Sequence, residues 1–349
     1  MREKKLYFAS DYQEGMADEI LARLQETNLT PTAGYGMDEF SESARNKIRK
    51  AIGIEDAEIY FLSGGTQTNA VVLAGLLKGY EGVIAADTGH IALHEAGAIE
   101  ASGHKVLTVK GEYGKITPDG LSAWLKNFYS DGNHDHMVFP GAVYISQPTE
   151  YGTLYSLGEL TKLRNICDEY NLKLYADGAR LAYALACPQN NVTLEDLARL
   201  TDVFYIGGTK CGAIIGEALV ITKKDLIPHF FTTIKQRGAL LAKGRLCGLS
   251  FDTLFTDDLY VRLGKRALRM ADFLRNALIR QGWRFALETA TNQLFLVISN
   301  SKYEILQESV VCSYWEPYDL NHTVIRLATS WATNVPDVDE LIRIMRDLA

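Results

Sequence analysis

Paired cysteines, basic blocks and long apolar runs are all missing from this chain, and each absence closes a class of function. The five cysteines (Cys167, Cys187, Cys211, Cys247 and Cys312) are odd in number and never spaced C-x-x-C, which argues against a disulfide framework or a zinc site. They read as reduced, mostly packed thiols. The formal net charge is -7 and no lysine/arginine block stands out, so neither nucleic acid nor an anionic membrane finds a basic footprint. No apolar run approaches the roughly 20 residues that span a bilayer. The start, Met1 to Lys5, is charged and followed by only a brief apolar run, so it does not read as a signal peptide and a cytoplasmic protein is expected. No stretch is repeated, of low complexity, or rich in proline or serine, so no free linker is expected between domains.

What is present is enough apolar material for a sizeable core: 47% hydrophobic against 23% charged residues, in a chain of 349 that exceeds one ordinary domain. After an N-terminal arm and helix (1–28), seven short apolar runs at 58–62, 83–86, 105–109, 141–146, 172–176, 203–206 and 217–221 read as strands. Helical patterns at 41–52, 66–78, 90–102, 118–128 and 156–170 alternate with them. Continuous apolar runs are strands covered on both faces. The alternation predicts a large α/β domain over 29–250, with a mainly parallel seven-stranded sheet sandwiched by helices. Residues 251–349, with a long helical pattern (258–280), apolar runs at 294–298 and 323–328 and a closing helix (336–348), predict a smaller α+β domain. Ligands of such sheets sit outside the carboxyl ends of the strands.

The stretch Val203-Phe204-Tyr205-Ile206-Gly207-Gly208-Thr209-Lys210-Cys211-Gly212 is a buried strand that opens into glycines and then delivers a lysine. Desolvation there lowers an amine's pKa enough for imine formation. A surface lysine on a glycine turn accounts for the same residues, so the choice rests on what lies upstream. Cys211 reads as a small residue in a crowded turn. Ser63-Gly64-Gly65-Thr66 follows strand 58–62 and opens a helix; its glycines let backbone N–H groups converge on a phosphate, with the Thr66 hydroxyl beside them. A plain capped turn is the alternative, and the G-K-[ST] of a Walker loop is missing.

Asp177, in Tyr175-Ala176-Asp177-Gly178-Ala179-Arg180, is positioned to pair with a protonated ring nitrogen, and Arg180 offers a planar fork for a carboxylate. A capping aspartate with a surface arginine fits equally. His90 and His94 have a metal-like spacing without H-E-x-x-H, so no metal is expected; His90 reads as a ring stacked on a flat aromatic group and His94 as structural. Asn133-His134-Asp135-His136 reads as a solvated loop. Arg326, a lone charge in an apolar strand, needs either a substrate carboxylate or an internal acid. Lys235, Arg237, Lys243 and Arg245 form a basic loop, either solvated or completing a phosphate site in this or a neighbouring subunit.

In this order the motifs resemble the fold-type I pyridoxal phosphate enzymes, and most closely the low-specificity L-threonine aldolases of the β-eliminating lyase group. The resemblance runs from Ser10-Asp11 through Gly34-Tyr35-Gly36-Met37-Asp38 to Arg326, nearly the whole chain. It implies that Lys210 binds pyridoxal 5'-phosphate covalently, that Asp177 pairs with the pyridine nitrogen, that His90 stacks on the ring, and that Gly65 and Thr66 hold the phosphate. Ser10, Arg180 and Arg326 are implied to receive the substrate carboxylate, with Tyr35 nearby. Where that family carries a histidine after strand 141–146, this chain has Glu150, so the base is Glu150 or His90, acting directly or through water. The implied activity is cleavage of L-threonine or L-allo-threonine to glycine and acetaldehyde by a homodimer or homotetramer. β-Elimination from another amino acid, or cofactor binding without turnover, are the alternatives.

Overall fold

A computed structural model describes residues 5–349; Met1–Lys4, part of the charged start read as no signal peptide, lie outside the described residues. The central sheet holds seven strands: β1 (Glu58–Leu62), β2 (Glu81–Ala86), β3 (Val106–Val109), β4 (Phe139–Ser146), β5 (Lys173–Asp177), β6 (Val203–Gly207) and β7 (Glu217–Ile221). Their spatial order is β1-β7-β6-β5-β4-β2-β3. Six run the same way, and β7 lies antiparallel to both its neighbours. The stretch 208–216 contains no helix and is too short for a parallel crossover, so the chain can return only in reverse. This is the mainly parallel, seven-stranded architecture predicted from the apolar runs.

Both faces of the sheet are covered. Ile84, Val143, Ile145 and Phe204 belong to one apolar cluster, whereas the alternating Val83, Tyr144, Tyr175 and Tyr205 belong to the other. Local signals set the helix ends. Asp38 accepts the Ser41 N–H at the head of Glu39–Ile52, which stops on Gly53 at φ 70°, and Ser156 with Glu159 forms a capping box at Leu157–Glu169.

The C-terminal part is a four-stranded antiparallel sheet, in the order Ser313–Pro317, His322–Ala328, Gln293–Ser299, Arg284–Leu287. The long helix Leu259–Arg280 serves both cores: Leu259, Leu263 and Ala267 pack under the large sheet, Ala271, Leu274 and Leu278 under the small one. Leu6–Tyr7 pairs with Val310–Val311, and Phe8 is buried beside them in the small core. The arm is thereby tied to the far end of the chain.

The helix expected over 90–102 is instead two short turns, His90–Leu93 and Ala98–Ala101. Ala96 at φ 50° and Gly97 at φ 73° break it, and the break turns Glu95 inward to Asn69 and His90. The basic stretch is also not one loop: Lys235 lies in the last turn of the helix Phe230–Gln236, and Arg245 opens Arg245–Leu254. Arg245 donates to the Thr27 and Thr30 carbonyls, and Lys235 lies 4.5 Å from the centre of the Tyr35 ring. The residues Asn133–His136 form a partly exposed 3-10 turn.

At the carboxyl edge the loop after β5 and the end of β6 touch through backbone. A Cβ on Gly178 would stand 2.0 Å from the Tyr205 carbonyl oxygen, and one on Gly207 would stand 2.3 Å from that of Ala179. Only glycine fits at such an approach. Gly207→Ala is therefore expected to lower stability by at least ~1–3 kcal/mol, the usual range for overpacking. Gly158→Ala, whose Cβ would meet nothing within 4 Å in a helix, should be neutral or raise it by roughly 0.5 kcal/mol. Unfolding midpoints of the two variants make the comparison; equal midpoints would remove the close approach as a constraint.

Candidate active site

Five strand ends deliver the side chains. β1 ends into Ser63-Gly64-Gly65-Thr66, β2 leads to His90, β4 to Glu150, β5 ends on Asp177, and β6 leads to Lys210. Gly65, Thr66, His90, Glu150, Asp177, Arg180 and Lys210 line one cavity, and Arg326 lines a second that shares His90, Glu150, Arg180 and Lys210 with it.

Asp177 is buried and accepts hydrogen bonds from the Tyr144 hydroxyl (2.6 Å), the Asn69 amide (3.2 Å) and the Ala179 N–H (2.9 Å). Burial pushes its carboxyl up, but the facing His90 and these donors hold it below the usual aspartate value. It is therefore a fixed negative charge. His90 is held from two sides: its Nδ1 lies 2.8 Å from Glu95 Oε1, and its backbone N–H donates to Glu150 Oε1 at 3.1 Å. Burial lowers its affinity for a proton, but Glu95 and Asp177 outweigh this and raise the imidazole pKa. Lys210 is pushed the other way, first by burial and then by Arg180, against the pull of Asp11, Asp177 and Glu217. A lowered amine pKa leaves more of the nucleophilic form.

Glu150 is 7% exposed, with Ser146 donating to Oε1 at 2.7 Å and Oε2 buried without a partner among the described residues. Burial raises its pKa. Arg326 has no acid partner among the described residues: its two terminal nitrogens donate to Gln293, Ala9 and Ser313, and Nε finds no acceptor. Burial, then Arg180, bring its pKa down to about 10. A desolvated cation without an acid is a receptor for an anion.

Two expectations change. Arg180 is not free: Asp11 grips it in a fork, Nε to Oδ2 at 2.7 Å and Nη2 to Oδ1 at 3.0 Å. The Asn292 amide also bonds to Asp11, at 2.9 Å. Tyr35 is not in the cavity of this chain; it lines a separate groove with Phe231 and Leu240 and is 44% exposed. Ser10 adjoins Ala9, whose carbonyl Arg326 holds, and its buried hydroxyl has no partner among the described residues. His94, its pKa lowered by burial and by His90, has its ring tilted toward Trp315. Burial pushes the Cys211 thiol up to about 12, so it stays protonated and is no nucleophile.

Asn69, Glu95, Glu217 and Asn292 were not foreseen as site residues. Polar side chains inside helices or turns leave no local mark of what they will face. Glu217 is the exception, since a lone acid heading an apolar strand carries the same signal that singled out Arg326.

The sequence profile of the beta-eliminating lyases matches residues 8–300. The chain belongs to the beta-eliminating lyase family. It is 31% identical to a low-specificity L-threonine aldolase of Pseudomonas aeruginosa, over 97% of this chain and 96% of that one. A second such enzyme, from Pseudomonas sp., is 30% identical over 99% of both chains. The solved structure of a Leishmania major threonine aldolase superposes with a TM-score of 0.95 at 42% identity, covering 99% of this chain and all of that one. The fold is that of the fold-type I pyridoxal phosphate enzymes, and this beta-eliminating lyase uses that cofactor.

The cavity fits it. The helix Gly65–Leu76 begins with no side-chain cap, which leaves its first N–H groups for an anion, and a Cβ on Gly64 would meet nothing within 4 Å. A Cβ on Gly65 would stand 3.0 Å from the Tyr205 hydroxyl, a tight fit that favours glycine there. Asp177 offers an anion that would suit a ring N–H, and Lys210 an amine that would suit its aldehyde. No helix among the described residues is long and apolar enough to cross a membrane.

The Asp11–Arg180 pair yields a test. Asp11→Asn leaves a guanidinium buried without its acid and should lower stability by ~3–5 kcal/mol. Burial raises the Asp11 pKa, but Arg180 and Lys210 bring it net below its ordinary value. The pair's contribution is thus whole above the unfolded value (about 3.9) and is lost as pH falls through the lower folded one. Stability measured against pH should lose that acid limb in the variant; an unchanged limb would refute the pairing.

Proposed function

We propose that this lyase cleaves a β-hydroxy-L-amino acid, L-threonine or L-allo-threonine, to glycine and an aldehyde. The observation that carries the reading is the convergence of Lys210, Asp177, His90 and Glu150 on one cavity beside an arginine with no acid of its own. Lys210 holds pyridoxal 5'-phosphate covalently, Gly65 and Thr66 seat its phosphate, and His90 lies against its ring. Asp177 keeps the ring nitrogen protonated. When bound, that ring accepts the electron pair left at Cα.

Arg326 receives the substrate carboxylate, with Ser10 as a further donor. Arg180 is positioned by Asp11 to face the same anion. The base is Glu150 rather than His90. The imidazole is committed to Glu95 and biased toward its charged form, whereas Glu150 Oε2 has no partner among the described residues and its raised pKa suits proton transfer. Glu150 takes the hydroxyl proton, the Cα–Cβ bond breaks, the aldehyde leaves, and a proton returned to Cα gives glycine. The chain works in the cytoplasm as a homo-oligomer, a second copy covering the exposed groove of Tyr35, Met37 and Phe231.

Purified protein should release glycine and acetaldehyde from one or both threonine isomers, and borohydride should fix the cofactor on Lys210 and not on the Lys210→Ala chain. Pyruvate and ammonia in place of glycine would mean β-elimination instead. Glu150→Gln should cut kcat by ~10²–10⁴ while the cofactor spectrum persists. Because the Glu150 pKa is raised, activity should fall on the acid side above the ordinary glutamate range. That limb should vanish in the variant.

A further inference from the structure

Glu217 has no part in the chemistry above, yet it sits where a negative charge is least wanted. It heads the reversed strand and pairs in register with Leu62 on one side and Gly207 on the other. Leu62 is the last residue before Ser63-Gly64-Gly65-Thr66, and Gly207 the last before Gly208-Thr209-Lys210. The carboxylate therefore stands between the anion cradle and the lysine loop. It lines the same cavity as Gly64, Gly65, Thr66 and Lys210, is 3% exposed, and accepts the Gly208 N–H at 2.9 Å. Among the described residues it has no ion-pair partner.

The charged groups that act most strongly on it are Lys210, a cation, and Asp177, an anion. Around them stand Tyr175, Tyr205 and Tyr260, phenols pushed well above their ordinary value by burial. The thiols of Cys211 and Cys247 are pushed up to about 12 and stay neutral. Burial pushes Glu217 itself up to about 7. Near neutral pH it is thus divided between its two forms, and a phosphate arriving in the cradle adds charge of the same sign.

We propose that Glu217 is a proton-linked sensor of the cradle: when a phosphate ester binds, its carboxylate takes one proton from solvent and changes from an acceptor to a neutral acid able to donate. The inference rests on the cradle being the phosphate site, and it assigns Glu217 to binding rather than to the reacting atoms. By linkage, a group protonated in the loaded state and charged in the free state weakens binding as pH rises above its free value.

The test is calorimetric titration of the full chain, freed of cofactor, with pyridoxine 5'-phosphate, whose alcohol cannot bond to Lys210. It is run at pH 8 in two buffers of different ionisation enthalpy. Wild type should take up roughly one proton more than Glu217→Gln. Its affinity should fall about fivefold more than the variant's from pH 7 to pH 8. The amide keeps the size of the side chain and an acceptor for the Gly208 N–H.

Equal proton uptake by the two chains, with binding intact, overturns the sensor and leaves the cradle standing. No binding to either chain overturns both. As a measurement that does not depend on Glu217→Gln folding, the Glu150→Gln chain should gain the infrared carbonyl stretch of a neutral carboxylic acid when loaded with cofactor at pH 8. A difference spectrum without that band overturns the proposal.

Discussion

A loop and a strand end touching through bare backbone are the constraint on which this molecule turns. The Gly207 N–H donates to the Gly178 carbonyl at 2.9 Å, and neither position has room for a Cβ. That contact sets the lysine loop against the aspartate loop, so Lys210 and Asp177 face one cavity from neighbouring parallel strands. The Tyr260 hydroxyl donates to the Gly207 carbonyl at 2.8 Å, and Tyr260 lies on the long helix that runs into the second core. The same point thus couples the catalytic edge to the element joining the two sheets. A shift there would move the amine, the acid and the cleft wall together.

Around that point the electrostatics are arranged by burial and answered by specific partners. Arg180 and Asp11 neutralise each other in a fork, whereas Arg326 is a desolvated cation without an acid partner among the described residues. In the same cavity Tyr144 and Asn69 hold Asp177, and Glu95 holds His90. One acid is thereby kept charged while Glu150 and Glu217, where burial outweighs their donors, drift toward their neutral forms. Carboxyl groups in one cavity acquire different proton affinities because their partners differ. A lyase needs that separation, since one group must stay an anion while another exchanges a proton.

Much of this was legible in residue order. The seven apolar runs, the glycines after strands and the lone arginine in an apolar strand are local patterns, and each strand appears within a residue or two of where periodicity put it. The helix expected over 90–102 was not legible as two turns, because a left-handed pair at Ala96 and Gly97 serves a bond between Glu95 and His90 that no local propensity encodes. Asp11 stands in the arm next to a residue singled out for the site, yet its partner is Arg180, 169 positions away. Tyr35 shows the converse: its motif is recognisable, but within one chain the fold places it in another groove.

Taken alone, the order of amino acids determined which side chains can reach the carboxyl edge of the sheet, since apolar periodicity sets the strands and each strand end sets a loop. It also determined the chemical kinds available there: an amine, an aspartate, an imidazole, a glutamate and two guanidinium groups. Only the tertiary structure decided which of these are paired, which are neutral and which await an anion. Proton affinity and ion pairing depend on burial and on neighbours far away in sequence, and neither exists before the chain has folded.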